Sequence, residues 1–107
     1  TVAPGICGFD AQIAAVSDDG MFVELQVETN CATIRRIADD IAALGPVNAY
    51  DEMSPAKESA ILAASRGILS AKGCCESCIV PAAMMKAMQV TAGLALPKDC
   101  AIAIARE

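Results

Sequence analysis

The sequence contains no histidine. This absence removes histidine-paired nucleophiles, the usual general base near neutral pH and the commonest metal ligand. A metal ion bound to this chain would therefore have to be held by cysteine, with help from aspartate or glutamate.

Aromatic residues and clustered basic residues are also scarce. The net charge of the 107-residue chain is −5, and its only aromatic residues are Phe9, Phe22 and Tyr50. Nucleic-acid binding usually needs a basic face, and single-strand binding adds aromatic side chains on which bases stack. We therefore expect no nucleic-acid partner.

Long apolar runs are missing as well, although 55% of the residues are hydrophobic. Much of this fraction is alanine, and the apolar stretch 82–85 ends at Lys86, far short of the ~20 residues that a membrane span requires. No charged segment followed by an apolar one indicates a signal peptide. The sequence predicts a cytoplasmic protein without membrane contact, although a leader removed before Thr1 would not be visible.

The length predicts a single domain, residues 1–107. A domain of this size buries roughly 60–70% of the surface of its unfolded chain and can fold without covalent staples. The six cysteines are therefore free to serve a purpose other than structural disulfides. In the cytoplasm their thiols would stay mostly reduced.

Two stretches near the start of the chain have the pattern of strands. Residues 9–16 and 21–28 are the predicted strands, because Val23, Leu25 and Val27 alternate with polar residues. The turn-forming residues 17–20 separate them. An antiparallel hairpin is the expected result.

Three helices follow, at about 31–44, 55–69 and 81–93, each marked by helical spacing of apolar residues or by proline near its start. Thr29 or Asn30 is expected to cap the first helix, and Ser54 the second. A last, buried strand is predicted at 100–105, where Cys100, Ile102 and Ile104 alternate with alanine. The predicted fold is α+β: a small sheet, made of the N-terminal antiparallel hairpin plus the C-terminal strand, with about three helices packed on one face.

Three thiols lie within five residues, in the segment 74–78 (CCESC). Cys75 and Cys78 form a C-x-x-C pair just before the third helix. A helix N-terminus favours thiolate, because its unpaired amides and dipole stabilise negative charge. Such thiolates either bind a soft metal ion or exchange disulfides.

Four cysteines at element boundaries are the candidate metal ligands: Cys7, Cys31, Cys75 and Cys78. Four thiolates suit tetrahedral zinc and equally suit an iron–sulfur cluster. Zinc is the first expectation, because nothing in the sequence demands redox chemistry. The chain would then be a non-catalytic binding module, with no catalytic residue assigned.

Other roles for the cysteines stay open. Cys75 and Cys78 could instead serve a thiol–disulfide or redox-sensing protein, and six cysteines could also form structural disulfides. Cys74 could replace Cys75 as a ligand, pair with another thiol or be a loop residue. Cys100 is expected in the core, where an unpaired cysteine behaves as a small hydrophobe.

Four segments resemble a family of small, uncharacterised proteins from anaerobic bacteria and archaea, classed as a domain of unknown function. They are residues 4–9 (PGICGF), 30–31 (NC), 78–81 (CIVP) and 93–99 (GLALPKD), and the likeness covers most of the chain. The resemblance implies no activity. It does imply that Cys7, Cys31 and Cys78 occupy motif positions, in keeping with a shared site. A protein partner and the oligomeric state are left open.

Overall fold

Three strands and four α-helices make up the fold. The computed structural model describes residues 1–106, leaving out the side chains of residues 73 and 74. The elements in chain order are β1 (Ala11–Val16), β2 (Phe22–Thr29), α1 (Ala32–Ala43), β3 (Val47–Asn48), α2 (Ala49–Glu52), α3 (Ala60–Leu69), a 3₁₀ helix (Ser70–Ser77) and α4 (Val80–Thr91).

The sheet is antiparallel in the order β1-β2-β3. Its inner face carries Ala11 and Val23, which are buried, and half-buried residues such as Leu25, whereas Gln12 and Glu24 on the outer face are exposed. Helices α1 and α4 pack against the sheet, and α3 packs against both helices. The predicted α+β class is therefore confirmed. Of the helices within residues 1–106, none combines the length and apolarity that a membrane crossing demands.

The predicted hairpin is confirmed, and its turn is held by side chains. The Asp19 carboxylate accepts hydrogen bonds from the N–H groups of Met21 and Phe22, both at 2.9 Å. The Ser17 hydroxyl donates to the Phe22 carbonyl at 2.7 Å and accepts from the Gly20 N–H at 2.9 Å. Gly20 has a φ of +73°, a conformation that glycine adopts without steric cost.

The core lies between the inner face of the sheet and the helices. Helix α1 contributes its predicted apolar face, and α3 and α4 contribute theirs at helical spacing. The largest fully buried side chains are Ile37, Ile61, Met84, Met88, Val23, Val80 and Ser65. The Ser65 hydroxyl donates to the Ile61 carbonyl at 2.7 Å, which satisfies its hydrogen-bonding need inside the core.

The predicted last strand, residues 100–105, is wrong as a member of this sheet. Residues 96–106 have no regular secondary structure, and all of them are exposed. The third strand is Val47–Asn48, which pairs with Phe22 and Val23. Cys100 is exposed, so its predicted place in the core is also wrong. The alternating pattern indicated that this segment could form a strand, but it could not indicate whether the segment pairs with an edge of the sheet.

The second predicted helix begins later than expected, at residue 60 rather than 55. Ser59, not Ser54, is its cap, and the Ser59 hydroxyl accepts from the Leu62 N–H at 3.1 Å. The buried carboxylate of Glu52 accepts from the Ile61 N–H at 3.2 Å. Two acceptors at this point satisfy amides that a helix start leaves unpaired. Residues 55–59, predicted as the first part of this helix, form turns and irregular structure instead.

We predict that Ile61→Ala will lower the free energy of unfolding by about 2–5 kcal/mol, because a large buried side chain leaves a cavity when truncated. Ile61 is 0% exposed, whereas its neighbour Leu62 is 43% exposed. Leu62→Ala, the matched control on the same helix, should cost much less. Urea unfolding of both variants measures the difference, and equal losses would contradict this account of the core.

The pKa of Asp19 lies below its usual 3.8, chiefly because the Met21 and Phe22 N–H groups donate to its ionised carboxylate. A lowered folded-state pKa means that Asp19 stabilises the fold above the unfolded value, and that this contribution is lost as the pH falls through the folded value. NMR titration should therefore show the Asp19 carboxyl protonating below pH 3.8. A midpoint at or above that value would show that the turn does not hold these hydrogen bonds in solution.

Candidate functional site

The C-x-x-C pair forms one tight turn. The Cys78 N–H donates to the Cys75 carbonyl at 3.0 Å, so the two residues lie at either end of a closed turn. The turn links the 3₁₀ helix to α4, which begins at Val80 with proline in its first turn. Cys75 is exposed, while Cys78 is half-buried and packs against the core.

Cysteines precede the two long helices that lack a side-chain cap. Cys31 is the N-cap residue of α1, and Cys78 directly precedes Ile79, the N-cap residue of α4; neither helix start has a side-chain cap or an acidic residue in its first turn. In contrast, Asn48 caps α2 and Ser59 caps α3. The expectation that Thr29 or Asn30 caps α1 is therefore wrong. An uncapped helix start favours a negatively charged group nearby.

Thr29 instead joins the loop that carries Cys7 to the start of α1. Its hydroxyl donates to the Asp10 carbonyl at 3.0 Å and accepts from the Cys31 N–H at 3.1 Å. A pair of hydrogen bonds between Val2 and Ala11 closes this loop at its base. Cys7 is exposed in the loop. Because Ala11 pairs with Thr29, the loop before β1 and Cys31 after β2 lie at the same end of the sheet.

Helix α4 connects Cys78 to the sheet. The helix packs against β1, and the Thr91 hydroxyl in its last turn donates to the Ala15 carbonyl at 3.1 Å. The other end of α4 lies against α3, where Cys78 and Pro81 line a pocket together with Leu69.

The four candidate thiols do not form a metal-binding group in the part of the chain that the structure describes. Within residues 1–106, apart from the side chains of 73 and 74, no three or more Cys, Asp or Glu side chains form a group that could hold a metal ion. The structure pairs Cys75 with Cys78 through their turn and keeps Cys31 half-buried against the core, while Cys7 stays on its exposed loop. Cys74, the alternative ligand, lies outside the described side chains.

The chemistry of the donors suits a soft metal ion. Cys7, Cys31 and Cys78 are not in disulfides, and thiolates are the ligands of zinc and of iron–sulfur clusters. Positive charge is also near: the Arg35 guanidinium, in the first turn of α1, donates through Nε to the Thr29 carbonyl at 2.8 Å. The cation is thereby held beside the residues that lead into Cys31.

An apolar pocket of about 260 Å³ lies beside Cys78, between α3 and the start of α4. Leu62, Leu69 and Pro81 supply much of its wall. Arg66 and Glu76, which form an exposed ion pair with Nη2 and Oε1 3.4 Å apart, also line it. Sequence reasoning missed this pocket, because its walls come from two helices whose contact no local pattern predicts.

The chain belongs to a family of unknown function, DUF6951, whose model matches residues 1–104. The matched region includes every candidate cysteine. Searches among curated proteins and among solved structures found no match.

We predict that Thr29→Val will destabilise the protein by about 1–3 kcal/mol, because it leaves the Cys31 N–H without its partner while keeping the side-chain shape. Amide hydrogen exchange at Cys31 should become faster. Thr33→Val, on α1 and also half-buried, is the matched control and should change neither quantity much. If both variants behave alike, Thr29 does not hold the Cys7 loop to the start of α1.

Proposed function

We propose that this protein binds a soft metal ion through the thiolates of Cys7, Cys31, Cys75 and Cys78, as a non-catalytic binding module. Zinc is the first candidate, and an iron–sulfur cluster is the alternative. The observation that carries the proposal is the pair of uncapped starts of α1 and α4, each preceded by a half-buried cysteine. An anaerobic cytoplasm, as the family resemblance implies, would keep these thiols reduced and ready to ligate.

The surroundings of the cysteines support an anionic centre. Four thiolates around a divalent ion carry excess negative charge, which the N-termini of α1 and α4 and the Arg35 guanidinium would offset. Asp or Glu is absent from both first turns, so no carboxylate there competes for this positive potential.

The cysteines would contribute unequally to such a centre. Cys31 and Cys78 pack against the core and would provide fixed ligands. Cys7 lies between Gly5 and Gly8, which have φ values of +106° and +72°, on an exposed loop that can adapt at little cost to the core. Metal binding would then draw the loop inward, which accords with the coupling of metal binding to local folding.

Binding to all four cysteines would join three parts of the chain that are distant in sequence: the Cys7 loop, the start of α1 and the start of α4. Closing long loops removes much of the freedom of the unfolded chain. The apo form has its own core, so we expect it to fold and to melt at a lower temperature than the metal-bound form.

Cys31→Ser and Cys78→Ser should each lose the metal and lower the melting temperature. Cys100→Ser is the matched control: Cys100 is exposed, so this variant should keep both the metal and the melting temperature. Metal analysis and absorption spectra of protein purified without oxygen give the result, and Co²⁺ replacement reports tetrahedral thiolate ligation. A wild-type protein without metal, or loss of metal in Cys100→Ser but not in Cys31→Ser, contradicts the proposal.

A second function, thiol–disulfide exchange at Cys75 and Cys78, draws support from their closed turn and from the adjacent pocket. The Cys75 thiolate would attack a substrate disulfide and release one thiolate, leaving a mixed disulfide. The Cys78 thiolate would then attack Cys75 Sγ and release the second thiolate. The chain ends with a Cys75–Cys78 disulfide, and the substrate is reduced to two thiols.

Oxidised glutathione discriminates between the two functions. Under disulfide exchange, the metal-free protein should lose the mass of two hydrogens and release two glutathione thiols, and Cys31→Ser should react as fast as the wild type. Under metal binding, the bound ion should protect Cys75 and Cys78 from reaction, and Cys31→Ser should abolish that protection.

A further inference from the structure

The segment after α4 has the composition of a strand but no partner. Residues 100–105 (CAIAIA) alternate larger and smaller side chains, a pattern typical of a strand with one buried face. Yet Ile102 is 68% exposed and Ile104 is 90% exposed. We call residues 100–105 the tail segment. Its apolar face lies open to solvent.

The sheet has the opposite feature, an edge without a strand. Both hydrogen bonds between Val2 and Ala11, of 2.7 and 2.9 Å, lie on the side of β1 away from β2. Main-chain groups alternate along a strand, so those of Ile13 and Ala15 point to the same open side. The Thr91 hydroxyl reaches the Ala15 carbonyl there. In the described part of the chain, the Ile13 N–H and C=O and the Ala15 N–H therefore face an open edge.

The edge is covered at its two ends, by Val2 and by Thr91, but neither its open stretch nor the tail segment carries a charge or a proline that would block pairing. Natural edge strands are commonly blocked by lysine, inward-pointing charges or proline. β1 (AQIAAV) has no charged residue and no proline, and the tail segment has none either. The inner-face side chains of Ile13 and Ala15 are only half-buried, so the apolar surface next to the open edge remains partly exposed to solvent.

The open part of the edge is shorter than the six-residue tail segment, but the two match in pattern. Val2 already pairs with Ala11, and the Thr91 hydroxyl holds the Ala15 carbonyl, so the open stretch runs from Ile13 to the Ala15 N–H. If the tail segment is added beside β1, Ile102 and Ile104 can continue the apolar inner face, and the small alanines can continue the outer one. The tail segment does not fold back on its own sheet: it stays exposed although α4 ends close to Ala15.

We propose that two copies of this chain exchange their tail segments, each of which adds a strand to the β1 edge of the other copy. A symmetric exchange covers both open edges and both apolar tails in one interface. Added strands bind by main-chain hydrogen bonds, with specificity from alternate side chains. Two insertions contribute to the roughly 1,200–2,000 Å² that a stable interface buries.

Size-exclusion chromatography with light scattering, in the presence of a reducing agent to exclude disulfide dimers, tests the exchange. The wild type should be a dimer. Ile104→Lys should be a monomer with unchanged circular dichroism, because it places a charge on the apolar face of the tail segment. Ala103→Lys, on the opposite face, is the matched control and should remain a dimer. A monomeric wild type, or a dimeric Ile104→Lys variant, overturns the proposal.

A mixing experiment tests the exchange directly. Ala15→Pro removes an N–H from the edge, where proline is tolerated in strands, and should give a monomer with an intact tail segment. Mixed with Ile104→Lys, which has an intact edge, it should form a heterodimer through one restored insertion. Failure of the two folded variants to combine overturns the exchange.

Hydrogen exchange keeps the proposal testable should Ala15→Pro fail to fold. The Ile13 and Ala15 amides should be protected in the wild-type dimer and exposed in Ile104→Lys. Protection of these amides in a monomeric wild type would mean that each chain covers its own edge, and the exchange between copies would be wrong.

Discussion

One face of the small sheet is buried, and both α1 and α4 pack against the sheet. Helix α1 follows β2 after two residues, so its start is fixed at the end of the sheet where β2 finishes. Helix α4 is anchored at its last turn to Ala15, near the opposite end of β1. Both helices therefore pack on the sheet, and neither has a side-chain cap at its N-terminus. This arrangement follows from the burial of the sheet rather than from any property of the cysteines.

The significance of Cys31 and Cys78 depends on their positions at the starts of these two helices. A cysteine before a helix is by itself a weak signal, since a small apolar side chain packs well in many places. Here side-chain caps occur at the starts of the two other α-helices, where Asn48 and Ser59 accept amide hydrogens, whereas the 3₁₀ helix, which continues directly from α3, has none. At Cys31 and Cys78 no such acceptor is supplied. The missing acceptor would be provided by the negative charge of a metal-bound thiolate, which links the local chemistry of the helix starts to the proposed site.

Local signals in the sequence predicted much of this fold. The hairpin followed from alternation and a turn, α1 from the spacing of Ile34, Ile37 and Ile41, and the closed C-x-x-C turn lies where the sequence placed it, before the last helix. Two of the errors depended on contacts that no local pattern shows. Residues 100–105 have a strand pattern but do not pair with the sheet, and at the start of α3 the Ile61 N–H is bound by Glu52, from another element. The cap of α1 was a local error, since Cys31 rather than Thr29 or Asn30 is the N-cap residue. The mutual distances of four cysteines on three segments also depend on contacts distant in sequence, so the ligand set could be proposed from sequence but not located.

The two inferences about this protein depend on one physical requirement, that main-chain polar groups need partners. At the starts of α1 and α4 the groups in question are amides without a side-chain cap, which a bound anion would satisfy. Along β1 they are N–H and C=O groups of the open part of the edge, which an added strand would satisfy. These two sets of groups lie on different elements and need different partners, an anion for the helix amides and a strand for the edge of β1. Metal binding and strand exchange are therefore separable, and a protein with an intact centre could still be monomeric. A single copy that exposes both an apolar tail segment and a partly open edge is, however, at risk of uncontrolled pairing. The proposed symmetric dimer would remove this risk without any change to the core.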